Sequence, residues 1–215
     1  DVSLVGSEMC IRDRYIFIMT ARLKDKVALI SGAAQGLGKE MAKSMIAEGA
    51  EVYISDINAE QLNETAKELS CSCITHDVTN IEDWQKVIDQ IRENSGALNI
   101  LVNNAGIGNG GDIESMDLDT WKLVHNVNLD SVFLGCKLAL PLMRDSGNGS
   151  IINISSMSGI VASHNTSAYN SSKAAVRHLS KSIALHCAKS TNLVRFNSIN
   201  PFFNITSMVQ YIIDG

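Results

Sequence analysis

Three features of this 215-residue chain predict an α/β fold built on a doubly wound parallel sheet. From Lys26 onward, short β-branched runs alternate with longer amphipathic stretches, the pattern of βα units. The first run enters a glycine-rich turn that opens a helical pattern, and the second ends on a carboxylate, Asp56. A hydrophobic content of 45% is enough to bury a substantial core as one domain.

The strands follow from their aliphatic runs and the helices from their 3.6-residue periodicity. Val27 to Ser31 is the first strand, with a helix near 36–48 behind it. Glu51 to Ser55 is followed by 58–69, Cys73 to His76 by 81–94, and Leu98 to Asn103 by one long helix over 117–144. Ser150 to Ser155 precedes a helix at 167–189, and Leu193 to Ile199 is the sixth strand. Pro141 and Pro201 are the only prolines, and no repeat or low-complexity linker marks a boundary. In such a sheet, ligands bind at the carboxyl ends of the strands.

Residues 1–18 include Arg12-Asp13-Arg14 and Tyr15-Ile16-Phe17-Ile18. They lack both the pattern of a secretory leader and the roughly 20 apolar residues of a membrane span. They are expected to be a non-native or disordered leader, with the domain running over 19–215, and the chain is expected to be cytoplasmic without a membrane partner. A net charge of −5 with scattered Lys and Arg offers no basic stripe for nucleic acid. The five cysteines (10, 71, 73, 136 and 187) fit neither a zinc knuckle nor a redox CxxC, so they read as reduced, mostly buried thiols. His76, His125, His178 and His186 fall in different elements, and no cluster calls for a metal.

The turn Ser31-Gly32-Ala33-Ala34-Gln35-Gly36-Leu37-Gly38 lets backbone amides approach a pyrophosphate at a helix N-terminus, although glycines there also serve tight strand–helix packing. Asp56, eighteen residues beyond Gly38, can accept hydrogen bonds from an adenosine ribose; as a bland alternative it caps the next helix. No Arg or Lys stands at 33–35 or 57 to offset a 2′-phosphate, so the expected cofactor is NAD rather than NADP.

Tyr169 and Lys173 are four residues apart in Tyr169-Asn170-Ser171-Ser172-Lys173, on one face of a helix, with Ser156 thirteen residues upstream of Tyr169. A phenol has a pKa of about 10, and a nearby fixed cation lowers it.

In this order the motifs resemble those of the short-chain dehydrogenase/reductase family, from about Leu23 to Met208. Ser31 replaces the usual Thr of the Thr-Gly-x-x-x-Gly-x-Gly motif, and Asp77-Val78 and Asn103-Asn104-Ala105-Gly106 match two further motifs. The resemblance implies a Rossmann-type sheet and a catalytic set of Asn128, Ser156, Tyr169 and Lys173. Tyr169 would be the general acid or base, Ser156 the partner of the substrate oxygen, and Asn128 the holder of a relay water. Lys173 would lower the Tyr169 pKa and hold the nicotinamide ribose. Cofactor contacts would come from Ser31, Gly32, Gln35, Gly36, Leu37 and Gly38, from Asp56 and Ile57, and from Asp77 and Val78. Asn104, Ala105, Gly106, Tyr169, Lys173, Pro201 and Thr206 would complete them.

Two departures from the family pattern stand out. Phe202 replaces the usual glycine after Pro201, which would be strained if the backbone there had positive φ, or would otherwise narrow the nicotinamide pocket. The chain also stops at Gly215, so it is expected to lack the lid, the last strand and the final helix. The sixth strand would then present an exposed edge, and the activity of the chain as it stands is an open expectation.

Substrate walls are expected from 107–112 and 157–165, with Ile107, Met157, Ile160 and Val161 apolar and His164 and Asn165 polar. His164 has the alternative of an ordinary surface loop residue. The expected partner is a small alcohol or ketone, including a hydroxysteroid-like or cyclic alcohol. A 3-oxoacyl-thioester (3-oxoacyl-ACP) reductase and a non-catalytic dinucleotide-binding fragment are the alternatives. The long helices imply a homo-oligomer, dimer or tetramer, by the same resemblance.

Overall fold

The computed structural model describes residues 21–108, 110–189 and 194–202. The expected leader, Thr206 and the expected missing end lie outside the described residues. Six parallel strands form one sheet: β1 Val27–Ser31, β2 Glu51–Asp56, β3 Ser72–Thr75, β4 Ile100–Asn103, β5 Gly149–Ile154 and β6 Val194–Ile199. Their order is β3-β2-β1-β4-β5-β6, so the winding reverses between β1 and β4. Loops leaving the carboxyl ends of those two strands diverge, and the crevice between them is where an open α/β sheet takes its ligand.

The sheet is buried on both faces, which is why its strands read as continuous aliphatic runs. Along β1, Val27 and Leu29 join one core, while Ala28 and Ile30 join the other. The second core packs beneath α1 (Gly36–Ala47) and α2 (Ala59–Leu69), through Ala42, Leu62 and Ala66. The first is formed with α3 (Ile81–Ser95), through Trp84, Val87 and Ile91. Beyond α4 (Leu118–His125), α5 (Ser131–Asp145) adds Cys136 and Met143 and α6 (Ser167–Lys189) adds Val176 to that core.

The long helix expected over 117–144 is two helices, α4 and α5, joined by a π turn at Asn126–Asp130. Helical periodicity is the same on both sides, so pattern alone cannot reveal the wider turn. Its hydrogen bonds explain it: the wide turn brings the Asn128 amide inward, where Oδ1 accepts from Ile107 N at 2.8 Å and Nδ2 donates to Ile107 O at 2.9 Å. α5 then lies so close to the sheet that a Cβ on Gly135 would sit 2.4 Å from Asn103 Oδ1 and 2.7 Å from the Trp84 ring.

Candidate active site

The glycines of the first turn answer to different requirements. Gly32 and Gly36 have φ of +63° and +59°, where an L side chain is strained. Gly38 has no such φ, but a Cβ there would stand 2.4 Å from Gly32 O and 2.7 Å from Asn104 Nδ2. Ser31 keeps the family hydroxyl at work: its Oγ accepts from the backbone N–H groups of Asn104 (3.2 Å) and Ala105 (3.3 Å). Asn104 Nδ2 returns the tie, donating to Ser31 O and Gly32 O at 3.0 and 2.7 Å. The carboxyl ends of β1 and β4 are thus stapled at the point where the winding reverses.

Three of the helix starts already carry their own cap and acid. Asn58, Asn80 and Asp117 cap α2, α3 and α4 by accepting from Gln61 N, Asp83 N and Thr120 N, and each of these helices has an acidic residue in its first turn. α1 has neither: Gln35 makes no side-chain cap and no acid follows. Its first N–H groups, including those of Gly36 and Leu37, form a positive end without a built-in carboxylate. A dinucleotide pyrophosphate fits this cradle.

Asp56, at the end of β2, is not the cap of α2, since Asn58 fills that role. Its Oδ2 accepts from Ala34 N at 3.1 Å and its Oδ1 from Asn58 N at 3.1 Å, which fixes the carboxylate beside the glycine turn. Ile57 is exposed next to it. Asp77 turns inward on its own loop, accepting from Thr79 N and Thr79 Oγ1, while Val78 is buried and its carbonyl accepts from Trp84 Nε1 at 2.9 Å. His76, 1% exposed, stands edge-on to the Trp84 ring at 4.3 Å and contacts Ser55 Oγ through Nδ1 at 3.1 Å. Its Nε2 has no partner, and burial pushes its pKa down to about 4 despite the carboxylates of Asp83, Asp77 and Asp56.

The four residues expected to act on substrate converge from three elements. Asn128 enters from the π turn, fully buried, and its Nδ2 also donates to Ser172 Oγ at 3.2 Å. Ser156 follows β5 and opens a short 3₁₀ turn, Met157–Gly159, with its Oγ accepting from Ser158 N. Tyr169 and Lys173 lie on the first turns of α6, and Lys173 Nζ donates to Ile154 O at 2.9 Å. The Lys173 ammonium sits 5.8 Å from the centre of the Tyr169 ring, and a Cβ on Gly106 would come within 3.1 Å of Asn128 Oδ1 and 3.2 Å of Lys173 Nζ.

Burial governs the electrostatics of the Tyr169–Lys173 pair. Burial raises the phenol's pKa, with the Ser156 hydroxyl acting in the opposite direction. Lys173 is itself desolvated, 4% exposed, and burial pushes its pKa down to about 8. Its Nζ donates to the Ile154 carbonyl and stands over the Tyr169 ring.

Pro201 O accepts from Met157 N at 3.0 Å, which joins the end of β6 to the Ser156 turn. Phe202 is 70% exposed and is not among the residues with positive φ, so it carries no strain of that kind. Cys136 and Cys187 are buried as expected, whereas Cys71 and Cys73 are only half-buried on and beside the edge strand β3.

The sequence reading did not find Ser155, Gly159 or Ser172. Ser155 Oγ donates to Lys173 O at 2.7 Å, and a Cβ on Gly159 would meet the Lys173 carbonyl at 2.8 Å. The glycine was the available signal, since close backbone approach requires one.

The model of the family described as short chain dehydrogenase matches residues 26–215. The 3-beta-hydroxysteroid dehydrogenase of Comamonas testosteroni is 41% identical over 194 residues, covering 89% of this chain and 76% of that protein. The NADP-dependent (R)-specific alcohol dehydrogenase of Lentilactobacillus kefiri is 38% identical over 197 residues, covering 89% and 78%. Among solved structures, a short chain dehydrogenase/reductase from Burkholderia phymatum in complex with NAD superposes with a TM-score of 0.85 at 27% identity, over 87% of this chain and 69% of that one. A stapled switch point, an uncapped first helix and a family match over residues 26–215 lead to one assignment: the chain belongs to the short chain dehydrogenase family and is a dinucleotide-dependent oxidoreductase acting between CH–OH and C=O.

Proposed function

We propose that the protein transfers hydride between NAD(H) and a secondary alcohol or its ketone, with Tyr169 as the general acid or base. The observation that carries this reading is the meeting of Ser156 and Tyr169 above a desolvated Lys173 at the carboxyl edge of the sheet. The bound dinucleotide supplies the hydride acceptor or donor. In the oxidative direction, Tyr169 as phenolate takes the hydroxyl proton while Ser156 Oγ holds the same oxygen; in the reductive direction the phenol returns it. Lys173 holds the nicotinamide ribose, and Asn128 orients a water beside the Lys173 ammonium. A hydroxysteroid or other cyclic alcohol suits the apolar side chains Ile160 and Val161, and similarity to a hydroxysteroid dehydrogenase supports that class.

NAD is preferred over NADP because Asp56 is fixed beside the turn with no basic residue at 33–35 or 57. The NADP-dependent relative means that this preference rests on the chain's own residues. Leu123, Phe133 and Leu185 expose apolar surface on α4, α5 and α6, which supports a homo-oligomer formed through these helices. Among the described residues no helix is long and apolar enough to cross a membrane.

Tyr169→Phe tests the reading. Turnover of cyclohexanol with NAD should fall by about 10³-fold while NADH binding, followed by fluorescence, is retained. Unchanged turnover would remove Tyr169 from the reaction, and NADPH binding as tight as NADH would remove the role of Asp56.

A further inference from the structure

The loop that links Ser156 to α6 has both ends on the reacting pair. It leaves at Ser156 and returns at Thr166, three residues before Tyr169, and between them it carries the exposed Ile160, Val161 and His164. Nothing in the proton or hydride chemistry fixes that span. Met157 O accepts from Ile160 N and Val161 N, each at 2.8 Å, and beyond them a closed ring of hydrogen bonds holds the chain.

Asn170 Nδ2 donates to Ser163 O at 2.8 Å, and Thr166 Oγ1 donates to Asn170 Oδ1 at 3.0 Å. Thr166 has one hydroxyl proton and uses it there, so Ser163 Oγ is the donor in its close contact with Thr166 Oγ1. The orientation of the amide is set by the same bookkeeping, because a carbonyl such as Ser163 O only accepts and requires the NH₂ group to face it. Each donor in the ring meets an acceptor, and such chains polarise one another. Asn170 is 9% exposed, so the ring is anchored at its buried side.

A second tie carries the loop to the opposite wall. Gly111 forms an isolated parallel bridge with Thr166: its N–H donates to Asn165 O at 2.8 Å, and its carbonyl accepts from Ser167 N and Ser167 Oγ, each at 3.3 Å. Gly111 has a φ of +148°, which L side chains rarely adopt, and a Cβ there would stand 2.6 Å from Met116 Cε. The β4–α4 loop is therefore shaped to reach Thr166.

We propose that Asn170 is a positioning residue for substrate recognition: through Thr166 and Ser163 it holds the 163–165 part of the wall in register with Tyr169, and through the Thr166–Gly111 bridge it holds that part against the β4–α4 loop at Gly111. The ligand's class rests on the hydride-transfer reading, whereas the ring itself does not. The residue acts on how an alcohol or ketone is seated, leaving cofactor binding and the acid–base step to others.

Hydrogen exchange and kinetics on the full chain test the two parts separately. In Asn170→Ala, amide exchange over residues 163–166 should rise about tenfold or more, with exchange over α1 unchanged. The KM for cyclohexanol should rise about tenfold, with kcat within threefold and NADH affinity unchanged. Asn170→Asp should not restore either property, since its second oxygen would face Ser163 O. Thr166→Val should give the same shifts, and the double variant should be no worse than either single one. Unaltered exchange over 163–166 in Asn170→Ala overturns the proposal, as does a fall in kcat at constant KM. An unaltered chain that turns over no alcohol or ketone would instead sink the hydride-transfer reading, and the exchange result would still decide the positioning role.

Discussion

The two halves of the sheet position their chemistry by different means. On the β1–β3 side the main chain does it: an uncapped α1, two glycines with positive φ, and a carboxylate latched by Ala34 N–H. On the β4–β6 side the work falls to buried side chains. Asn103 Nδ2 donates to Asn153 Oδ1 at 2.8 Å, Asn153 Nδ2 to Ser180 Oγ at 2.9 Å, and Ser155 Oγ to Lys173 O. Main-chain sites leave a trace in glycine spacing, whereas side-chain networks exist only after distant elements have come together.

The largest effect should come from breaking the second kind of site. Asn153→Ala removes the partner of both Asn103 and Ser180 in a fully buried place, and should cost about 3 kcal/mol in urea unfolding. A loss below about 1 kcal/mol would mean that the network is not what stabilises the catalytic half. Gly38→Ala probes the first kind. The added methyl has no room against Gly32 O, so about 2 kcal/mol of stability should be lost together with measurable NADH binding.

A pH test probes a buried side chain on the β1–β3 side. His76 has a folded pKa of about 4 against 6.5 unfolded, so the unfolded chain binds the extra proton first as pH falls. Its contribution is complete above about pH 6.5 and is lost progressively down to about pH 4. Stability should drop by about 2 kcal/mol between pH 7 and pH 5, and His76→Phe should remove most of that slope. The smallest expected effect is the most diagnostic. Gln35→Asp supplies the cap that α1 lacks, and should add about 1 kcal/mol to the unliganded fold while weakening NADH binding about tenfold. If stability and affinity rose together, α1 would not be the pyrophosphate end.

The same division accounts for what could be read in advance. The β1 strand was legible to the residue, and β2 to β6 began within two residues of expectation, because aliphatic runs flanked by turn residues are local signals. Asp56 and the glycine turn followed from spacing alone. Ser156 and Asn128 acquired roles only by family resemblance, since a serine after a strand or an asparagine in a helix has no distinctive pattern, whereas the spacing of Tyr169 and Lys173 already paired a phenol with an ammonium. Asn170, Ser172 and His76 were not legible at all: their partners lie at Ser163, Asn128 and Ser55, and nothing in the local sequence announces those meetings.

The π turn at Asn126–Asp130 also constrains how this chain can vary in length. A wide turn accommodates one residue more than an α-helical turn, so α4 and α5 are offset by roughly 100° relative to one continuous helix. Deleting any single residue from 126–130 would straighten the rod and keep every helical hydrogen bond. It would leave Val132, Cys136, Ala139 and Met143 facing the core, because the residue removed is the one the wide turn absorbed, while the Asn128 amide would be lost or carried away from Ile107. The extra residue of this turn thereby serves the site alone: the core could lose it and keep its packing, and the Asn128 contacts could not.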